Sequence, residues 1–126
     1  MGDLIHEEVS ARIIAAAVEV HQQLGPGLLE SAYEACLAHE LVARGAVVRR
    51  QVELPIMYKG TRVDAGFRID LLVDDAVIVE LKAVEALAAI HEAQLLTYLR
   101  LSGRRVGLLF NFNPRRIMEQ FRRLVV

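Results

Sequence analysis

An α/β fold, a single domain over residues 1–126 with a mixed sheet flanked by helices, is what three features of this chain predict. Two segments with apolar residues at helical spacing come first. A block of β-branched, alternating runs follows, and an Ala/Leu-rich segment separates that block from a last apolar run. At 126 residues, 54% hydrophobic and 25% charged, the chain can build one core without disulfides and has no room for a second domain.

The elements follow in order. From about Leu4 to Leu24 the residues Ile5, Val9, Ile13, Ala16, Ala17, Val20 and Leu24 recur at helical spacing, and Gly25-Pro26-Gly27 stops the helix. A second helix runs from about Leu29 to Arg44 and ends at Gly45, a residue suited to the left-handed terminator. Ala46 to Tyr58 reads as a strand, with Lys59-Gly60 as a two-residue turn into a strand that starts near Val63. That hairpin pairs Val52 with Phe67, Leu54 with Ala65 and Ile56 with Val63. Pro55 has no N–H, so the strand belongs at an edge. Leu87 to Leu101 is apolar nearly all round, as a buried crossover helix should be, and ends at Ser102-Gly103. Val106 to Phe112 is then a central strand, free to lie parallel to the one before the helix. Pro114 to Val126 is compatible with a short helix or a last strand. The order is α-α-β-β-β-α-β.

The hairpin in the middle carries the chemistry. Val63 to Leu71 alternates strictly, with Asp64, Arg68 and Asp70 opposite the apolar odd-numbered residues. Val77 to Lys82 alternates too, placing Ile78, Glu80 and Lys82 on one face. A two-residue turn at Asp74-Asp75 would mix polar and apolar residues on each face, whereas a three-residue connection from Asp74 to Ala76 avoids this. The longer loop pairs Val73 with Val77, Leu71 with Val79 and Ile69 with Leu81 on the core face. On the other face it pairs Leu72 with Ile78, Asp70 with Glu80 and Arg68 with Lys82. Opposed carboxylates roughly 5 Å apart at Cβ are destabilising unless something positive lies between them. Either a salt-bridged quartet with Arg68 and Lys82, or a divalent metal ion, would serve.

Charge and composition narrow the function classes. A net charge of −1 gives no global pull toward polyanions, so nucleic acid would need a local patch. Arg49-Arg50, Arg104-Arg105 and Arg115, Arg116, Arg122 and Arg123 are the candidates, although such pairs usually mark solvated surface. No apolar run is long enough for a bilayer, and Met1-Gly2-Asp3 opens no secretory signal, so no membrane association and a cytoplasmic location are expected. The single cysteine, Cys36, reads as a small buried thiol.

Other polar residues fall in line with the hairpin. His91, Gln94 and Tyr98 form one stripe on the crossover helix, which could lie beside the carboxylates; a satisfied helix edge is the plainer alternative. Glu30 opens the second helix, where the dipole favours a carboxylate, and Tyr33 shares its face. His21 near the corner reads as a packed core histidine.

Gly27-Leu28-Leu29-Glu30-Ser31-Ala32-Tyr33 resembles the signature of the GxxExxY protein family, which is assigned to the PD-(D/E)XK nuclease superfamily. The resemblance extends over Val20-His21, Leu24 to Gly27, Gln51, Asp70 to Val73, Glu80-Leu81-Lys82, His91, Gln94, Tyr98-Leu99 and Gly107 to Leu109. It implies a restriction-endonuclease-like αβββαβ core with an extra N-terminal helix. It also implies that Glu30, Asp70 and Glu80 bind one or two Mg²⁺ or Mn²⁺ ions and that Lys82 is the catalytic amine. Gln94 and Tyr98 are similar to a RecB-like QxxxY element that contacts the nucleic-acid strand, and Gln51, Tyr33 and His91 join them as substrate-binding candidates. The proline of the superfamily pattern is missing before Asp70, where Arg68-Ile69 stand.

Those residue types suit the implied chemistry. Magnesium takes hard oxygen ligands and keeps several waters, so two or three carboxylates with a backbone carbonyl, that of Leu81, make an open cage. The expected function is metal-dependent hydrolysis of phosphodiester bonds in DNA or RNA. The alternative is a non-catalytic module of the same fold that binds nucleic acid or a protein partner as a homo-oligomer.

Overall fold

Helix α1 (Glu7–Leu24) and helix α2 (Glu30–Ala43) form one layer against a five-stranded sheet, in a computed structural model that describes residues 5–126. The expected helix start at Leu4 lies outside the described residues. The chain continues through β1 (Val48–Glu53), β2 (Ile56–Tyr58), β3 (Thr61–Val63), β4 (Arg68–Val73) and β5 (Val77–Lys82). Helix α3 (Ala89–Ser102), β6 (Val106–Asn111), a 3₁₀ turn (Ile117–Gln120) and β7 (Phe121–Val125) complete it. The tail is therefore both a short helical turn and a strand. The main sheet runs β1-β4-β5-β6-β7, antiparallel except for the parallel β5–β6 pair that the α3 crossover allows.

The α1 stripe of Ile13, Ala16, Ala17 and Val20 and the α2 stripe of Tyr33, Leu37, Ala38 and Leu41 cover one sheet face. His21 is buried as expected, its Nε2 3.1 Å from the Phe112 carbonyl. Leu95, Tyr98 and Leu99 of α3 cover the other face with Leu72, Ile78 and Leu109. Gly107 sets the depth of that contact, since a Cβ there would stand 2.7 Å from Leu95 Cδ1. Both faces of the central strands are thus dry, and the β4–β5 hairpin is not half-exposed.

The three-residue connection is present. Val73 pairs with Val77, Leu72 with Ile78 and Leu71 with Val79. Asp74 and Asp75 both take positive φ of 53°, which short acidic side chains tolerate. Asp74 also ties the turn down by accepting from the Val47 amide at 2.9 Å and from Arg12 at 3.0 Å.

The first hairpin differs from its expectation. Lys59-Gly60 does turn β2 into β3 with Ile56 opposite Val63, but this is a separate two-stranded ribbon. The predicted strand from Ala46 to Tyr58 breaks at Leu54-Pro55, and the predicted strand from Val63 to Leu71 breaks over Asp64–Phe67. Val52 pairs with Ile69, not Phe67, and the Leu54 amide bonds to the Phe67 carbonyl at 2.9 Å, not to Ala65. Pro55 cannot donate to a ladder, and Gly66 at φ +79° turns the chain, so the two halves keep different registers. β1 is an edge strand, as Pro55 suggested.

A second difference matters more. Strict alternation would keep Ile69 on the face of Leu71 and opposite Leu81. Instead Ile69 packs under α3 with Leu72, whereas Leu71, Val73 and Leu81 face α1 and α2. β1 changes sides in step, with Val48 packed on the first cluster and Val52 on the second. Both changes fall at Gln51 and Asp70, which the β1–β4 register skips, and Gln51 takes φ +51°. A left-handed residue in a strand re-aims its neighbours in the manner of a bulge. Cys36, expected to be buried, is exposed because the α2 stripe of Tyr33, Leu37 and Leu41 points away from it.

Candidate functional site

The β4–β5 ladder ends at Leu71 and Val79, and side chains take over where it stops. The Asp70 amide donates to Glu80 Oε1 at 3.2 Å, and the Leu81 amide donates to Asp70 Oδ2 at 2.9 Å. Two carboxylates therefore fill the gap between strands that part at their ends. In an extended strand a residue's N–H and C=O point to the same neighbour, so the Leu81 carbonyl shares the side of its amide and faces this gap.

Electrostatics in the gap are unbalanced. Glu80 is 4% exposed, and its carboxyl is pushed up from the ordinary 4.5 to about 9, first by burial and then by the charge of Asp70; Lys82 opposes the shift and does not cancel it. Among the described residues neither Asp70 nor Glu80 forms an ion pair. Arg68, expected to stand beside Lys82, turns instead to Glu53 on β1 at 3.7 Å, its register partner. The salt-bridged quartet is not formed. Two hard oxygen donors and a carbonyl with uncompensated negative charge are a donor set that fits a divalent cation. No group of three or more His, Cys, Asp or Glu side chains among the described residues could hold an ion by itself. Water or a phosphate oxygen would have to complete its shell.

Helix α3 delivers the polar stripe to the same place. Lys82 leaves the end of β5 half-buried, with Nζ 3.5 Å from Gln94 Oε1. Tyr98, one turn on, has its hydroxyl pKa raised by burial and then by the charges of Glu80 and Asp70. His91 sits at the start of the helix, where its Nδ1 accepts the Ala88 amide at 2.9 Å. It caps α3.

The α2 residues divide differently from expectation. Tyr33 is fully buried, stacked on Phe112 at 4.6 Å, and its hydroxyl donates to the Gly25 carbonyl at 2.5 Å and accepts from the Leu28 amide at 3.2 Å. It fixes the corner between the helices and leaves no free group for a substrate. Glu30 is exposed at the first position of α2. Glu34, one turn further, is buried and reaches the site through Gln51, whose amide donates to Glu34 Oε1 at 2.5 Å and to Asp70 Oδ1 at 3.4 Å. Arg50 braces the other Glu34 oxygen at 3.0 and 3.1 Å.

Two contributors were missed in the sequence. The signal that could have found Glu34 is its place three residues before Leu37 on the buried stripe of α2. Asn111 ends the apolar run of β6, fully buried, opposite Lys82 in register. It holds both backbone groups of Val84, accepting from the amide at 3.1 Å and donating to the carbonyl at 2.8 Å, and bonds Gln120 at 2.8 Å. The loop that carries the chain from Lys82 into α3 is thereby anchored to the sheet.

A family model described as the PD-(D/E)XK nuclease superfamily matches residues 7–124. No curated protein and no solved structure matches the chain significantly. No described helix is long and apolar enough to cross a membrane.

Proposed function

The chain belongs to the PD-(D/E)XK nuclease superfamily, and we propose that it hydrolyses phosphodiester bonds in DNA or RNA with Mg²⁺ or Mn²⁺. The observation that carries the reading is the gap between β4 and β5, where Asp70 and Glu80 are tied to each other's strands without a counterion and Lys82 stands next to them. In this reading Asp70, Glu80 and the Leu81 carbonyl would hold the ion, with water or phosphate oxygens completing its shell; Glu30, exposed at the start of α2, forms no three-carboxylate group with them. The ion, when bound, would draw charge from the phosphate and acidify water.

The chain's own groups have separate tasks. Asp70 and Glu80 must both be ionised to hold a cation, which the cation's charge favours. Lys82 orients the attacking water or accepts its proton, and Gln94 holds the ammonium at the end of β5. Tyr98 and Gln94 face the strand next to the scissile phosphate, with His91 and Gln51 at either side.

Crystals soaked in Mn²⁺ and a cleavage assay test this together. Anomalous density between Asp70 and Glu80, with Mg²⁺-dependent cleavage lost in Asp70→Asn, is the expected result. No divalent ion at that position and no cleavage of DNA or RNA would sink it.

A further inference from the structure

Next to Lys82 the molecule has a groove of about 520 Å³ between α3 and the segment that carries Phe67. Lys82 and Gln94 are among its polar lining residues, and Tyr98, Phe67, Ile90 and Leu101 supply apolar surface. Phe67 and Leu101 are each 38% exposed and Ile90 is 70% exposed, so these side chains are not spent on the core. The Phe67 and Tyr98 rings lie 6.1 Å apart, tilted by 59°. No carboxylate lines the groove.

We propose that this groove receives an unpaired nucleobase of the strand being cut, so that the site acts on single-stranded or frayed nucleic acid. The inference rests on the nuclease reading above. A base has two apolar π faces and a polar edge, and it is held by aromatic and aliphatic walls with a few hydrogen-bonding groups. The groove offers that combination, with the Thr97 hydroxyl and the Gln94 amide among its lining groups. Its volume is within the range of about 300–1,000 Å³ usual for small-molecule sites. Lys82 puts a positive charge in the groove lining, and a cation bound at Asp70 and Glu80 would offset the negative charge of the neighbouring gap, so that the flanking phosphates can approach. Because Lys82 belongs both to the groove and to the acidic gap, a phosphate at the gap puts the adjoining base at the groove's mouth. A base inside a duplex is stacked on both faces and would enter only after unstacking and unpairing, which costs free energy.

The test uses fluorescently labelled oligothymidylate and oligouridylate, the same strands with a run of abasic residues, and a blunt duplex, each cut by the full chain in Mn²⁺. Intact single strands should be cut at least about tenfold faster than abasic strands or duplex. Phe67→Ala should lower kcat/KM on intact strands about tenfold and leave the abasic rate unchanged. The abasic comparison needs no variant, so it stands even if Phe67→Ala does not fold. Equal rates on all substrates overturn the groove's role and leave the nuclease reading intact. Failure to cut any of them, with no Mn²⁺ bound, overturns both. Dimers that dissociate on Phe67→Ala in sedimentation would make the groove a protein interface and also overturn the proposal.

Discussion

The backbone amide of Asp70 donates to the side chain of Glu80 at 3.2 Å, at the position where a strand-to-strand hydrogen bond would otherwise stand. Glu80 thus occupies the place of a carbonyl. That keeps a buried carboxyl beside a second one, Asp70, which accepts from the next amide along β5 at 2.9 Å. The parted strands leave both acids with oxygen lone pairs and no ion pair among the described residues.

This arrangement makes stability depend on pH in a defined sense. Glu80 ionises near 4.5 in the unfolded chain and at about 9 in the folded one, so the folded state binds more protons between those values. Without divalent ions, the contribution of Glu80 to stability is full below about pH 4.5 and is lost as pH rises toward about 9. Glu80→Gln should flatten that slope and raise Tm near neutral pH, and Mn²⁺ affinity of the native protein should rise with pH over the same window. Thermal melts and calorimetric titrations across pH check both, and a flat wild-type profile would contradict the argument.

Lys82 is half-buried and, among the described residues, its ammonium bonds only to Gln94, so Lys82→Ala should fold normally. Its cleavage rate should fall by a factor of about 10² or more, the usual contribution of a positioned proton-transfer group. Circular dichroism and a Mg²⁺-dependent cleavage assay read the two effects separately.

Glu34 and Glu30 should behave differently. Removing Glu34 leaves Arg50 without its partner and Gln51 with Asp70 alone, so Glu34→Ala should cost about 1–3 kcal/mol in urea denaturation. Glu30 is exposed and apart from the acidic gap, so Glu30→Ala should leave stability within about 0.5 kcal/mol and Mn²⁺ binding unchanged.

Gly107 should resist replacement. The Cβ of Gly107→Ala would press on the fully buried Leu95 side chain and push α3 outward, at a cost of about 1–3 kcal/mol. Because α3 carries Gln94 toward Lys82, cleavage should fall with stability. Leu95→Ala in the same chain should recover part of both, which paired melts and assays would show.

The hairpin that holds the acids was legible because its alternation allows only one loop length: a one-residue slip would have put Leu71 and Val79 on the wrong face. The α3 stripe was legible for the same kind of reason, since Gln94 and Tyr98 interrupt an apolar helix one turn apart. The break at Pro55 and the change of face at Gln51 were not. Pro55 was visible as a poor ladder residue, but where its neighbours re-paired depended on Gly66 and on β4, which are remote in the chain. Nothing local announces that Gln51 adopts φ +51°, because Glu34 and Asp70 hold its side chain from two other elements.

The sequence by itself determined the direction of β4, β5 and β6 relative to one another and which acids and amine share one hairpin, because periodicity and turn chemistry are local and repeat every two or 3.6 residues. Tertiary structure alone decided that Ile69 leaves the α1–α2 face to pack under α3, that Arg68 leaves the site for Glu53, and that the buried acid of α2 is Glu34. Each of those outcomes is a competition between partners far apart in the chain, and packing, not periodicity, chooses the winner.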